Sequence, residues 1–99
     1  MMRVLFRREA REHVIQARDW YEKQSAGLGG EFVRALEAAV AIASRSPDAF
    51  PAVSGEFRRV LLRRFPCALV YQFDGDTLVV LACFHQRRNP GTLGNRLKR

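Results

Sequence analysis

Two apolar segments on either side of Asp74-Gly75 place the tightest constraint on the fold. Residues 67–73 read CALVYQF and residues 77–84 read TLVVLACF. An Asp-Gly pair between two such segments is typical of a two-residue β-hairpin turn. Apolar residues occupy both faces of both strands, which indicates burial on both sides. The sequence therefore predicts a hairpin inside a sheet, covered by helices on one face and by the C-terminal tail or a partner chain on the other.

The same turn predicts the state of the two cysteines. With residues 74–75 at the centre of a type I′ turn, Cys67 stands opposite Ala82. Cys83 then points to the other face of the sheet from Cys67, because successive strand side chains alternate. A disulfide between them is not expected in this geometry. Two buried, reduced thiols are predicted instead.

The rest of the chain predicts an α+β fold. Apolar residues recur at helical spacing in two stretches joined by a short glycine-rich link, which predicts an antiparallel helical hairpin. The predicted elements are a strand at residues 2–6, helices at about 8–24 and about 28–45, a loop at 46–56 and a further strand at 57–64. The order β-α-α-β-β-β implies a helical hairpin packed on a mostly antiparallel, twisted sheet. The strand order stays open at this point.

Length and apolar content predict one domain over residues 1–99, with an irregular tail at 89–99. The chain has 99 residues, of which 47% are hydrophobic, enough for one modest core. The apolar run near the N-terminus is too short for a signal peptide, and no segment approaches the length of a membrane span. We therefore expect a cytoplasmic protein.

The positive charge lies in the C-terminal half. Residues 1–56 carry as many acidic as basic side chains, whereas residues 57–99 carry nine basic residues against Asp74 and Asp76, which accounts for the net charge of +7. Such asymmetry predicts an acidic or polyanionic partner. Most of the basic residues are arginines, which bind carboxylates and phosphates bidentately. A solvated basic face that serves solubility is the alternative.

Seven residues are candidates for binding a target or a partner. They are Arg58, Arg59, Arg63, His85, Arg87, Arg88 and Arg96. Four of them lie at predicted strand ends with few acidic neighbours in sequence: Arg58, Arg59, Arg87 and Arg88. Internal pairing alone does not explain this cluster, so we favour contact with a partner. Replacement of Arg58 and Arg59 by Glu is expected to weaken that contact and to leave the fold intact.

Several short motifs in this order resemble the RelE/ParE superfamily of type II toxin–antitoxin toxins, and more closely its ParE-like branch, which includes plasmid stabilisation proteins. The matching residues are Ala10, Trp20-Tyr21-Glu22, Gly27-Leu28-Gly29 with Phe32, Pro47, Phe50-Pro51, Arg58-Arg59, Phe65-Pro66, Tyr71, His85-x-Arg87-Arg88-x-Pro90 and Arg96. The resemblance covers nearly the whole chain. Cys67 and Leu93 depart from it, since family members commonly have an aromatic residue at the first position and a tryptophan near the second.

The resemblance implies a growth-inhibiting toxin that a cognate antitoxin neutralises by wrapping its C-terminal segment around it. ParE-like members inhibit DNA gyrase by protein contact, whereas RelE-like members bind the ribosome and cleave mRNA. A homodimer, or a heterotetramer with the antitoxin, is compatible with either reading. No cofactor and no metal are expected. A third reading is an inactive, basic interaction domain.

The nuclease reading requires proton-transfer groups as well as cations. Metal-independent cleavage at a ribose 2′-hydroxyl needs a base, an acid and positive charge around the phosphate. In that reading the catalytic candidates are His85, Arg59 and Arg87, with His85 as the base because its pKa lies near neutrality. The C-terminal tail has no tyrosine, and the only lysines are Lys23 and Lys98. The scarcity of proton-transfer groups favours a non-enzymatic inhibitor.

Structural roles are predicted for the remaining aromatic and histidine residues. Trp20 and Tyr21 are expected in the core of the helical hairpin. Tyr71, opposite Leu78 in the predicted register, is expected to pack its ring and to hydrogen-bond through its hydroxyl. A metal site built from the two histidines, His13 and His85, lacks further ligands in sequence and is not expected.

Overall fold

The computed structural model describes residues 2–85, which form two helices and a five-stranded sheet. The elements in chain order are β1 (Arg3–Phe6), α1 (Arg8–Gln24), α2 (Leu28–Arg45), β2 (Ala52–Ser54), β3 (Phe57–Leu61), β4 (Cys67–Asp74) and β5 (Thr77–His85). Both helices have the predicted bounds. The tail at 89–99 lies outside the described residues.

The sheet has the strand order β1-β5-β4-β3-β2 and confirms the predicted α+β class. β1 pairs with β5 in parallel, and all other neighbours are antiparallel. The chain leaves β1 through the helical hairpin and returns through three further strands before β5 takes its place beside β1. The two hairpin strands β4 and β5 are therefore interior strands, as predicted.

The segment between α2 and β3 corrects the predicted loop and strand. Residues 46–56 contain the short strand β2, which pairs with the start of β3 across a turn at Gly55, whose φ is 55°. β3 ends at Leu61 rather than continuing to Arg64. Arg64 has a φ of 71°, in the left-handed region that breaks an extended strand, and the chain turns there into β4.

The turn between β4 and β5 is displaced by one residue from its predicted position. Asp74 pairs with Thr77, so the central residues are Gly75 and Asp76. Gly75 has a φ of 59° and Asp76 does not have a positive φ, which is the pattern of a type II′ turn. Glycine at the first central position adopts this conformation without a Cβ penalty, and the predicted type I′ turn is therefore wrong.

A bulge at Leu81 changes the register further along the hairpin. Tyr71 pairs with Val80, but the preceding residue, Val70, pairs with Ala82. Leu81 is thus an extra residue of β5 and reverses which side chains of that strand face the helices. No local signal in the sequence marked this position.

The bulge places both cysteines on the helix side of the sheet. Cys83 pairs with Leu69, two residues from Cys67 on the same strand, so all three share a face. The predicted placement of the cysteines on opposite faces is therefore wrong, because it assumed unbroken alternation. Both thiols are buried and free, as predicted. Burial raises the pKa of Cys67, and burial together with the nearby Cys67 raises the pKa of Cys83 to about 12.

The main core lies between the helical hairpin and the sheet. Tyr21 of α1, Phe32 of α2 and Phe65 form an aromatic cluster with ring centroids 4.9 to 5.5 Å apart. Each such contact contributes about 0.5–1.5 kcal/mol beyond the burial of area. Tyr21 is buried, as predicted, whereas Trp20 is 38% exposed, so its predicted core position is wrong.

Glu22 and Gly29 join the two helices where α1 ends and α2 begins. The Glu22 carboxylate accepts hydrogen bonds from the backbone N–H groups of Gly27 and Gly29, each at 2.9 Å. It thereby satisfies donors that the first turn of a helix leaves without intrahelical partners. These bonds lower the pKa of Glu22. A Cβ at Gly29 would lie 2.7 Å from the carbonyl oxygen of Arg18, so the two helices approach too closely for a larger residue.

The second face of the central strands is also buried, as the apolar pattern predicted. Val70, Ala82 and Phe84 form a small cluster there, packed against Phe57 and Leu81. The prediction that the tail or a partner chain covers this face concerns residues outside those described.

Candidate functional site

Four of the seven candidate residues lie in the described part of the chain, and they do not form one cluster. Arg58 and Arg59 are adjacent in β3 and pair with Tyr71 and Val70 of β4. Tyr71 belongs to the helix-side core, and Val70 to the cluster on the opposite face. The two arginines therefore point to opposite faces of the sheet. Arg87, Arg88 and Arg96 lie outside the described residues.

Internal contacts account for the position of Arg58. Its guanidinium donates a 2.6 Å hydrogen bond to the carbonyl oxygen of Phe50 and a 3.3 Å bond to that of Asp48. Its charge also lies 5.8 Å from the centre of the Phe73 ring. Arg58 thus fastens the loop after α2 to the sheet.

Tyr71 fixes the same loop from the neighbouring strand. Its ring is buried and its hydroxyl donates a 2.7 Å hydrogen bond to the carbonyl oxygen of Pro47, as the predicted packing role requires. Its partner on β5 is Val80 rather than the predicted Leu78. Burial is the main cause that raises the pKa of Tyr71, and the Arg58 charge opposes it.

Arg59 and Arg63, unlike Arg58, have no side-chain contact within residues 2–85 that explains their position. Arg59 is half-buried on the face away from the helices, and Arg63 is exposed just beyond β3. Neither forms an ion pair with an acidic side chain of residues 2–85, in contrast to Arg64, which pairs with Glu31 of α2. These two arginines are the described candidates best placed to meet an acidic partner.

His85 ends β5 on the helix side of the sheet. It pairs with Cys67 and lies beside the rings of Trp20 and Tyr21, at centroid distances of 6.1 and 6.3 Å. Arg59 faces the other side of the sheet. In the ribonuclease hypothesis, the candidate base His85 and the candidate cation Arg59 are therefore not placed to contact the same phosphate. The second histidine, His13, accepts a 3.2 Å hydrogen bond from the backbone N–H of Cys83.

Two apolar clefts contain exposed aliphatic residues that the sequence reading did not single out. The first cleft, of about 300 Å³, lies between α2 and β3 and contains Ile42 and Leu61, which are 39% and 52% exposed. The second, of about 620 Å³, lies between β1 and the two helices and contains Leu5 and Ile15. One signal for Leu61 was available, since three successive apolar strand residues cannot all face the core.

Within residues 2–85 no group of three or more histidine, cysteine, aspartate or glutamate side chains is placed to hold a metal ion. In the same part of the chain, neither helix has the length and apolar character needed to cross a membrane.

The sequence profile of a known family matches residues 4–90, almost the whole chain. That family is described as the ParE toxin of the type II toxin–antitoxin system parDE. The chain belongs to the ParE toxin family. Membership implies an antitoxin partner, because a type II system pairs each toxin protein with an antitoxin protein.

A solved structure shares the fold of this ParE family member. It is described as a chromosomal ParDE toxin–antitoxin system from P. aeruginosa, and it superposes with a TM-score of 0.59 over 84% of this chain and 94% of the other. The sequences are 17% identical, so the likeness concerns the fold. No curated protein sequence matches this one at a significant level.

Proposed function

We propose that this ParE family member inhibits cell growth by binding DNA gyrase as a protein inhibitor, and that a cognate antitoxin neutralises it. Binding, rather than chemistry on a nucleic acid, is the function that its described residues support. The proposal places the protein in the cytoplasm, where gyrase acts.

The main support for this proposal is the separation of His85 from Arg59. The two lie on opposite faces of the sheet. A general base must lie within hydrogen-bond reach of the proton that it removes, and the cations must surround the same phosphate. That separation supports an inhibitor over a ribonuclease. Family membership supports the same choice.

The charge distribution supports a binding role. The C-terminal half carries the net charge of +7, and Arg59 and Arg63 have no acidic partner among residues 2–85. Unpaired guanidinium groups on a folded surface can bind carboxylates of a protein partner. Arg58 has a structural role and is not needed as part of that surface.

The test combines two assays on the same purified protein. Supercoiling of relaxed plasmid by gyrase is followed as the toxin is titrated, and primer extension on mRNA in a translation extract is run in parallel. Loss of supercoiling with intact mRNA is the expected result. The charge-reversed variant R59E/R63E should weaken inhibition, whereas R8E/R34E, with the same change of charge on exposed positions of the two helices, should inhibit like the parent.

Two outcomes would contradict the proposal. Cleavage of mRNA within codons, with supercoiling unaffected, would establish the ribosome-dependent ribonuclease instead. No effect in either assay, together with harmless expression in cells, would indicate an inactive basic interaction domain. The mass of the toxin with and without its antitoxin, measured by light scattering during size-exclusion chromatography, would decide between a homodimer and a heterotetramer.

A further inference from the structure

The outer edge of β5 is paired with β1 along only part of its length. The last bond between the two segments runs from the Arg7 N–H to the Val80 carbonyl oxygen, at 3.0 Å. From Leu81 to His85 this edge has no strand partner within residues 2–85. An open strand edge leaves backbone N–H and C=O groups that need another partner when they are buried.

A side chain of α1 supplies that partner at Cys83. The Cys83 N–H donates a 3.2 Å hydrogen bond to Nδ1 of His13. Val80 and Cys83 both direct backbone groups to this edge although they are three residues apart, which strict alternation along a strand does not allow. The extra residue at Leu81 accounts for the odd spacing. The bulge therefore creates the outward N–H that His13 accepts.

The surroundings of this hydrogen bond are largely apolar and buried. Cys83 is 7% exposed and Phe84 is 5% exposed. The half-buried His13 ring lies beside the Phe84 ring, with 5.3 Å between the two centroids. Without His13, the Cys83 N–H would lose its acceptor in a place that water does not readily reach, and a buried unsatisfied donor is costly.

The bond depends on the protonation state of His13. A backbone N–H can only donate, so Nδ1 carries no proton and the proton of the neutral imidazole lies on Nε2. A protonated imidazole carries hydrogens on both nitrogens and cannot accept. Protonation would therefore turn two N–H groups toward each other at this contact. Histidine is the side chain that ordinarily changes charge between about pH 5 and 8.

Ionisable side chains adjoin His13 on three elements. They are Arg7, where β1 ends, Glu9 and Glu12 of α1, and Cys83 and His85 of β5. Glu9 stands one helical turn before His13 and favours the protonated imidazole. The Cys83 thiol stays neutral, because burial and the nearby Cys67 raise its pKa to about 12. His85 titrates in the same pH range as His13, so a test has to separate the two histidines.

We propose that His13 is an acid-sensitive latch between α1 and residues 81–85 of β5. The neutral imidazole accepts from Cys83 and holds the bulged end of the strand against the helix. The protonated imidazole releases this N–H, and the end of β5 opens locally. The latch needs neither an antitoxin nor gyrase, so it is independent of the proposed function.

Nitrogen-15 NMR and hydrogen exchange on the labelled protein measure both halves of this proposal. At about pH 8 the imidazole shifts should show His13 with an unprotonated Nδ1. Toward about pH 5, the protection of the Cys83 amide, corrected for the intrinsic exchange rate, should fall at least about tenfold. This fall should follow the protonation of His13 and not that of His85. The amide of Val79, in the part of β5 that β1 covers, should keep its protection.

Two substitutions separate the hydrogen bond from the packing of the ring. His13→Phe keeps a ring beside Phe84 but has no acceptor, so the Cys83 amide should lose its protection at every pH. His13→Asn places an amide oxygen near the position of Nδ1, and this oxygen accepts without titrating. Protection should then be kept and should no longer depend on pH. His85→Asn removes the other histidine and should leave the pH dependence of the parent intact.

Three results would overturn the inference. They are a proton on Nδ1 of His13 at about pH 8, a Cys83 protection in the parent that does not change with pH, and a pH dependence that persists in His13→Asn. Each would show that His13 does not control this end of β5. If His13→Phe fails to fold, the parent and the asparagine variant still decide the question.

Discussion

Replacement of Arg58 by alanine should destabilise the folded protein, although sequence reasoning placed this residue on a binding surface. The change removes the 2.6 Å hydrogen bond to Phe50, the 3.3 Å bond to Asp48 and the cation lying 5.8 Å from the Phe73 ring centre. The loop after α2 would then lose its bonds to the Arg58 side chain, while those from the Tyr71 hydroxyl to Pro47 and from the Arg59 backbone N–H to Pro51 would remain.

The expected magnitude follows from these contacts. A hydrogen bond from a charged donor contributes about 1.5–3 kcal/mol, and the longer second bond adds little. A partly exposed cation–π contact adds about 0.5–1 kcal/mol. The sum is a loss of roughly 2–4 kcal/mol. Since 1 kcal/mol shifts Tm by about 4–8 °C in a domain of this size, Tm should fall by at least about 8 °C.

Urea unfolding followed by circular dichroism measures this loss, with Arg59→Ala as the matched control. Arg59 makes no side-chain hydrogen bond or ion pair with residues 2–85, so its variant should stay within about 0.5 kcal/mol of the parent. A value for Arg58→Ala within that same range would refute the structural role of Arg58. Any loss of toxicity in the Arg58 variant would then have to be attributed to partner contact.

Three further predictions concern the helix junction, the tyrosine and the cysteines. Glu22→Gln should destabilise the helical hairpin at neutral pH. Because the pKa of Glu22 is lowered in the folded protein, its carboxylate contributes stability above the unfolded-state pKa that is lost as pH falls through the folded-state pKa, so the variant's urea midpoint should depend less on pH in acid. Gly29→Ala should cost about 1–3 kcal/mol, because its Cβ would clash with the Arg18 carbonyl oxygen. Tyr71→Phe should cost about 1 kcal/mol, and the ionisation that this variant loses from the ultraviolet titration curve should have a pKa above the ordinary tyrosine value. Cys83 should react with a thiol reagent only after unfolding, and fast reaction of the native protein would contradict its burial and its pKa of about 12.

The elements themselves could be predicted from local sequence. The two helices begin and end where apolar spacing, glycine and proline indicated, because those signals act within one or two turns of a helix. The hairpin around Gly75 was predicted for the same reason. The short strand β2 was missed, since three residues in a segment rich in proline and glycine carry no strand signal of their own.

The candidate site was predicted less completely than the fold. Arg59 and Arg63 do lie on one cleft, but residue types alone could not separate Arg58 from them. Its role depends on a carbonyl oxygen supplied by the loop after α2, which no pattern within β3 reveals. The exposed residues Leu61 and Ile42 line the same cleft only because α2 packs beside β3 in the tertiary structure.

The sequence by itself determined the helices, the interior hairpin, the +7 charge of the C-terminal half and the resemblance that family membership confirmed, because each depends on local spacing or composition. The tertiary structure decided which face each residue occupies. The bulge at Leu81 turned Cys83 toward the helices, and the alternation of β3 sent Arg58 and Arg59 to opposite sides. A shift of one residue in a strand reverses its faces at almost no local cost, so only the packing of the whole sheet determines the result.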